Sequence, residues 1–121
     1  SLDPALHLAT GKALGALRSN NGLIIGSGMS FHNIGGLMGR NPAEGSTAFD
    51  EWLNKAVMEY QSERDRLLNE WSQAPAARHC HPREEHLLPL HVVAGAAGED
   101  SCTSDYRGNV LGAPVSAFRF G

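Results

Sequence analysis

Two histidine-bearing segments hold the residues most able to do chemistry. The first, Gly26-Ser27-Gly28-Met29-Ser30-Phe31-His32-Asn33, follows the apolar run Leu23-Ile24-Ile25. The second is His81-Pro82-Arg83-Glu84-Glu85-His86-Leu87-Leu88-Pro89-Leu90. An imidazole titrates near ~6.5, so it can take or give a proton at neutral pH, and its neutral form binds metals. Each segment sets such a ring at the end of a regular element, where a scaffold can aim it. The set looks like part of a metal site. A catalytic non-haem iron site uses three protein ligands and leaves positions open, and this chain does not obviously supply all three.

Each histidine has a bland reading beside the chemical one. His32, in a loop, can either face a crevice and move a proton or bond a backbone carbonyl. His81 precedes Pro82 and reads as the cap of a helix that Pro82 opens. His86 then falls in or just beyond the first turn, where the helix dipole disfavours a charged ring and favours a metal ligand. Its neighbours are apolar, so it needs either a hydrogen-bond partner or a metal. His91 lies five residues on, not at the i, i+4 spacing of a zinc-binding helix, and reads as a core histidine. His7 and His79 carry little information. Cys80, flanked by His79 and His81, reads as a small apolar residue, with a metal role as the alternative.

The elements that must position these rings are legible from local pattern. Asp3-Pro4 starts a helix carrying Leu6, Ala9, Ala13, Leu14 and Leu17, and Asn20-Asn21-Gly22 ends it. Leu23-Ile24-Ile25 reads as a buried strand, and the Gly-Ser-Gly turn after it lies at a strand's carboxyl end, where α/β sheets bind ligands. Residues 35–47 read as a loop, with Ser46 or Thr47 capping the next helix. Phe49, Trp52, Leu53, Ala56, Val57 and Tyr60 form its apolar stripe. A further helix carries Leu67, Leu68 and Trp71, and residues 73–78 link it to the second motif. Pro89 is expected to bend the helix after Pro82. Two weaker strands follow, around residues 101–106 and 115–120.

Composition narrows the function classes. At 121 residues with a formal charge of −3 and mixed signs, the chain is one domain without the basic stripe a nucleic-acid partner requires. No apolar run approaches the ~20 residues of a membrane span. Two cysteines without a CxxC pair suit a reduced, cytoplasmic setting.

The two motifs together resemble the carboxyl-terminal half of class III extradiol ring-cleavage dioxygenases. The stretches GLIIGSGMSFHN and HPREEHLLPLHVVAGAAG carry the resemblance, which runs from about Ala13 to Phe120. The nearest branch is the DODA type, acting on dihydroxyphenylalanine-like catechols, within the LigB superfamily. The resemblance implies an α/β fold: a partial LigB-like layered structure with a short central sheet flanked by helices. It implies that His32 is the acid/base histidine and that His86 is the third metal ligand, of ferrous iron or of zinc in its place. His81 opens the HP motif without an implied catalytic role. The family's other two ligands are histidines of the amino-terminal half, and no matching motif occurs here.

Residues 1–121 are thus expected to form a single domain equivalent to the carboxyl-terminal piece of a dioxygenase, inactive alone toward catechol and dioxygen. A piece of an α/β sheet exposes an apolar face and an open edge. It is therefore expected to form a homo-oligomer or to pair with an amino-terminal half. Two other readings compete. One is a non-catalytic, Memo-like interaction module of the same superfamily. The other is a zinc hydrolase using His81, His86 and Glu85, which the spacing disfavours.

Overall fold

The computed structural model describes residues 1–38 and 45–121. It is a mixed α/β structure: six helices and a two-stranded antiparallel sheet occur among the described residues. The loop expected over residues 35–47 lies partly outside them. Its flanks are helical: α2 spans Ile34–Leu37 and α3 spans Ser46–Met58.

Helix α1 (Pro4–Leu14) starts as Asp3-Pro4 dictates, with the Asp3 carboxylate accepting the Ala5 N–H at 2.9 Å. A 3₁₀ turn over Gly15–Asn20 continues it, and Asn21 ends it in the left-handed region at φ 60°. The expected apolar stripe does not face the core, since Leu6 and Leu17 are each half exposed. Leu8 and Gly11 are the buried residues. A Cβ on Gly11 would run into the Val92 carbonyl, and one on Gly95 into that of Leu8. The two helices therefore meet backbone to backbone, and bulky leucines are pushed to the outside.

Helix α3 buries Phe49, Leu53, Ala56 and Val57, with Trp52 half buried beside them. Gly45, at φ 74°, takes the N-cap position instead of Ser46 or Thr47. Tyr60 is exposed and leads into α4 (Gln61–Asn69), followed by a 3₁₀ turn carrying the buried Trp71. The expected linker contains the single-turn helix α5 (Ala77–Cys80).

Helix α6 (Leu88–Ala97) begins six residues later than Pro82 suggests. Residues 82–87 turn instead, with Leu87 and Leu88 both donating to the Glu84 carbonyl. Pro89 falls in the first turn of α6, where its missing N–H costs nothing, so it starts this helix and does not bend it. No cation of its own lies in the last turn of α6; arginines from elsewhere supply the charge. Arg64, fully buried, donates to the carbonyls of Ala94, Gly98 and Asp100 at 3.1, 2.6 and 3.1 Å. Arg18 reaches Ala96 and Ala97, both at 3.2 Å. Both complement the negative end of the helix dipole.

Strands β1 (Cys102–Val110) and β2 (Ala113–Phe120) form a hairpin in the register Val110↔Ala113 to Cys102↔Phe120, with one irregularity at Ser104/Tyr106. Leu111 and Gly112 make the turn at φ 51° and 87°, the two left-handed positions that a tight hairpin needs. The tail strands are therefore real and longer than expected. Leu23–Ile25 is not a strand in this structure. Leu23 and Ile25 are 84% and 77% exposed, and no described strand lies beside them to accept their backbone bonds. A strand needs a partner edge, and apolar branching alone does not supply one.

Candidate active site

Backbone bonds zip the two motifs together. The Met29 N–H donates to the His86 carbonyl at 2.8 Å, and the His32 N–H to the Cys80 carbonyl at 3.0 Å. Asn33 Nδ2 donates to the His79 carbonyl at 2.6 Å, while Asn33 Oδ1 accepts the Gly36 N–H and caps α2. Gly28 permits this approach, because a Cβ there would collide with the His86 carbonyl. The result is a direct ring stack: His32 and His86 lie with centroids 3.5 Å apart and planes 24° from parallel. Both are half buried, so each keeps an accessible edge. The two residues singled out for chemistry are thus brought into contact from loops distant in sequence.

His81 is fully buried and sits elsewhere in this framework. It ends α5 as its C-cap instead of opening a helix. Its Nε2 donates to the Ser30 carbonyl at 3.0 Å, and Nδ1 has no described partner. Phe49 and Trp71 pack on its ring at centroid distances of 5.3 and 5.9 Å. Burial, with lesser repulsion from the neighbouring His32, His86 and His91, pulls its pKa down to about 4 against the pull of the Ser30 bond. This neutral ring carries the His32 loop from beneath.

A zinc site of His81, His86 and Glu85 is not formed. His81 is committed to Ser30, Glu85 is exposed beside Arg83, and among the described residues no three His, Cys, Asp or Glu side chains gather to hold a metal. Cys80 is buried and free, and burial pushes its thiol up to about 12, so it is a core residue without thiolate character. His91 is a core histidine, with Nε2 2.8 Å from the Leu68 carbonyl. His7 turns back onto the Asp3 carbonyl at 2.7 Å. His79 is exposed, and only its carbonyl takes part.

Sequence reasoning missed the second tier of the site. Ser30 Oγ accepts the Ser116 N–H at 2.8 Å, and Ser116 Oγ donates to Asp50 at 2.6 Å. Asp50 is buried and pairs with Arg107 at 2.9 Å. Asn54 donates to Ser116 Oγ at 3.0 Å. Asp50 and Asn54 sit at i, i+4 among the apolar positions of α3, a polar interruption of a core face that was visible in the sequence. Ser116 gave no such hint.

Two stacked histidines on loops tied together at an α/β core therefore form the candidate site. No family model matches the sequence, but curated relatives do. The chain is 34% identical over its whole length to "Dioxygenase tasH" of Hapsidospora irregularis. It is 39% identical over 83% of its length to "4,5-DOPA dioxygenase extradiol" of Beta vulgaris, and 35% over 91% to the extradiol-like protein of Schizosaccharomyces pombe. The chain corresponds to a part of these dioxygenases and spans about 40% of their length (41%, 37% and 39%). Its fold is similar to that of the uncharacterized protein JW3007 from Escherichia coli K12, with a TM-score of 0.82 at 25% identity. That match covers 95% of this chain and 49% of the other. No described helix is long and apolar enough to cross a membrane.

Proposed function

We propose that this chain is the part of a catechol ring-opening dioxygenase that supplies the proton-handling histidine and one metal donor, and that it is inactive without further residues. The substrate class is a catechol of the dihydroxyphenylalanine type, with dioxygen as co-substrate. The relatives' names, 4,5-DOPA dioxygenase extradiol, and the motifs around His32 and His86 support it. The single observation carrying the reading is the 3.5 Å stack of His32 on His86.

A metal of the ferrous type would polarise a bound catechol and dioxygen. His86 suits one position of such a site as a half-buried nitrogen donor. The described residues do not fit the whole group, because no three His, Cys, Asp or Glu side chains gather among them. The chemistry assigned to this chain is therefore limited to its own side chains. His32 holds or receives a proton at a ring nitrogen beside the bound hydroxyls, which is general acid–base work suited to an imidazole. The stack on His86 sets the plane of the ring. The Cys80 and His79 carbonyls fix the loop that bears it, so the ring does not have to be ordered when substrate arrives.

The test is ring opening of dihydroxyphenylalanine with ferrous iron under air, followed by absorbance of the product. The chain alone is expected to give no turnover. Co-expressed with the portion of JW3007 outside the matched half, it is expected to turn over, and His32→Ala in that complex to lose about 100-fold or more. Ordinary turnover by the chain alone overturns the claim of incompleteness. Unchanged turnover in His32→Ala overturns the role of His32.

A further inference from the structure

Successive residues of the His32 loop are held by different parts of the molecule. The His32 N–H donates to the Cys80 carbonyl at 3.0 Å, and Asn33 Nδ2 to the His79 carbonyl at 2.6 Å. Phe31 is buried in the core. Ser30 is held twice. Its carbonyl accepts from His81 Nε2 at 3.0 Å, and its Oγ accepts the Ser116 N–H at 2.8 Å. The anchors at residues 79, 80 and 81 all belong to one short segment, and a loop pinned to one segment can hinge on it. The Ser30 hydroxyl supplies the attachment to a second body, the β1–β2 hairpin.

That attachment point is itself firm. Ser116 lies opposite Arg107 in the hairpin register, where an antiparallel strand turns every second N–H away from its neighbour, so this donor can serve the loop. The ladder on either side fixes the Ser116 backbone. Asp50 and Asn54 fix its side chain, at 2.6 and 3.0 Å, and Arg107 closes the network on Asp50 at 2.9 Å. Ser30 is only 8% exposed. With alanine there, the Ser116 N–H would face a methyl group with little water to replace the lost acceptor.

We infer that Ser30 is a positioning residue of the site: its hydroxyl, bonded to the hairpin, keeps the His32 ring in register with His86. The tolerance is small, because the rings stack at 3.5 Å and a shift of ~1 Å at a reacting group costs ~100-fold in rate. Ser30 reaches no reacting atom; it acts through the loop that carries His32. Its value to catalysis rests on the reading of His32 as the proton-handling group. The geometry it controls does not rest on that reading, and it is measured without turnover.

The experiment is NMR of the 121-residue chain with labelled histidine at one fixed pH, reading the nuclear Overhauser effect between the His32 and His86 rings. Ser30→Ala is expected to lower it by ~3-fold or more in the folded chain, as a slip of ~1 Å between the rings does. Ser116→Ala removes the contacts to Asp50 and Asn54 but keeps the backbone donor, so it weakens the fold and leaves the ring signal unchanged. A second measurement needs no substitution: in the parent chain the Ser116 amide, although it turns away from β1, is expected to exchange ~10-fold or more slowly than in an unstructured chain. Exchange of that amide at the unstructured rate overturns the inference, whether or not Ser30→Ala folds. So does an unchanged ring signal in Ser30→Ala, or an equal loss in Ser116→Ala, which is general loosening and not the work of the hydroxyl. None of these results bears on the dioxygenase reading, which falls separately, on unchanged turnover in His32→Ala.

Discussion

Acid should destabilise this fold through His81. Buried between Phe49 and Trp71, the ring is held neutral, and its pKa falls from 6.5 to about 4. The unfolded chain binds a proton below 6.5, while the folded chain does not until about 4. Unfolding therefore takes up a proton in that window, and stability drops as pH drops. At about 1.4 kcal/mol per pH unit, the interval from 6.5 to about 4 is worth ~3 kcal/mol, of which ~2 kcal/mol is gone by pH 5. Above 6.5 the contribution is complete. Burial lowers the pKa of His91 as well, with the same sign, so the parent should lose at least this much. Urea titration read by Trp fluorescence at pH 7.5 and 5 measures the loss, and Trp71 touches His81 directly. In His81→Gln the amide can still donate to Ser30 but does not titrate, so the pH-dependent loss should shrink by ~2 kcal/mol. An equal loss in parent and variant refutes the reasoning, as does a parent whose stability is flat across this range.

The other predictions concern packing and the polar tier. Arg64→Met should cost about 3–5 kcal/mol, because three carbonyls at the end of α6 lose a buried cation; the exposed Arg66→Ala should leave the urea midpoint unchanged. Gly28→Ala should cost about 1–3 kcal/mol by driving a Cβ into the His86 carbonyl. It should also separate the His32–His86 stack, read as shifted imidazole resonances in NMR. Ser116→Ala should cost about 1–3 kcal/mol by taking one hydrogen-bond partner each from the buried Asp50 Oδ1 and Asn54 Nδ2, again by urea titration. With thiols raised to about 12 and about 11, Cys80 and Cys102 should resist alkylation at pH 8 in the folded chain and react in denaturant; fast alkylation of Cys80 in native buffer would contradict its burial.

Several features follow from chemistry that acts over a few residues, and these were legible in the amino-acid order. Asp3-Pro4 starts α1 because a carboxylate caps free N–H groups and proline lacks one. Phe49, Leu53 and Val57 mark a helix with one buried face because three- and four-residue spacing puts them on one side. The weak strand signal around residues 115–120 is realised because the tail can fold back on its own neighbour. The motifs around His32 and His86 were sufficient to point to the extradiol dioxygenases.

What the order of residues could not settle depends on remote partners. Leu23–Ile25 has the composition of a buried strand, but burial requires a second edge beside it, and the described chain presents none. Pro82 and Pro89 both satisfy the rules for a helix start. The second prevails where Met29 takes the His86 carbonyl and the turn at Glu84 uses the intervening amides. His81 looked like a helix cap until its ring was buried against Trp71 and tied to Ser30. The contact of His32 with His86 is likewise a product of tertiary structure: loops far apart in the chain are fastened by backbone bonds, and glycine at position 28 lets them close. Local rules chose the residues that could act; only the packing of distant segments decided which of them touch.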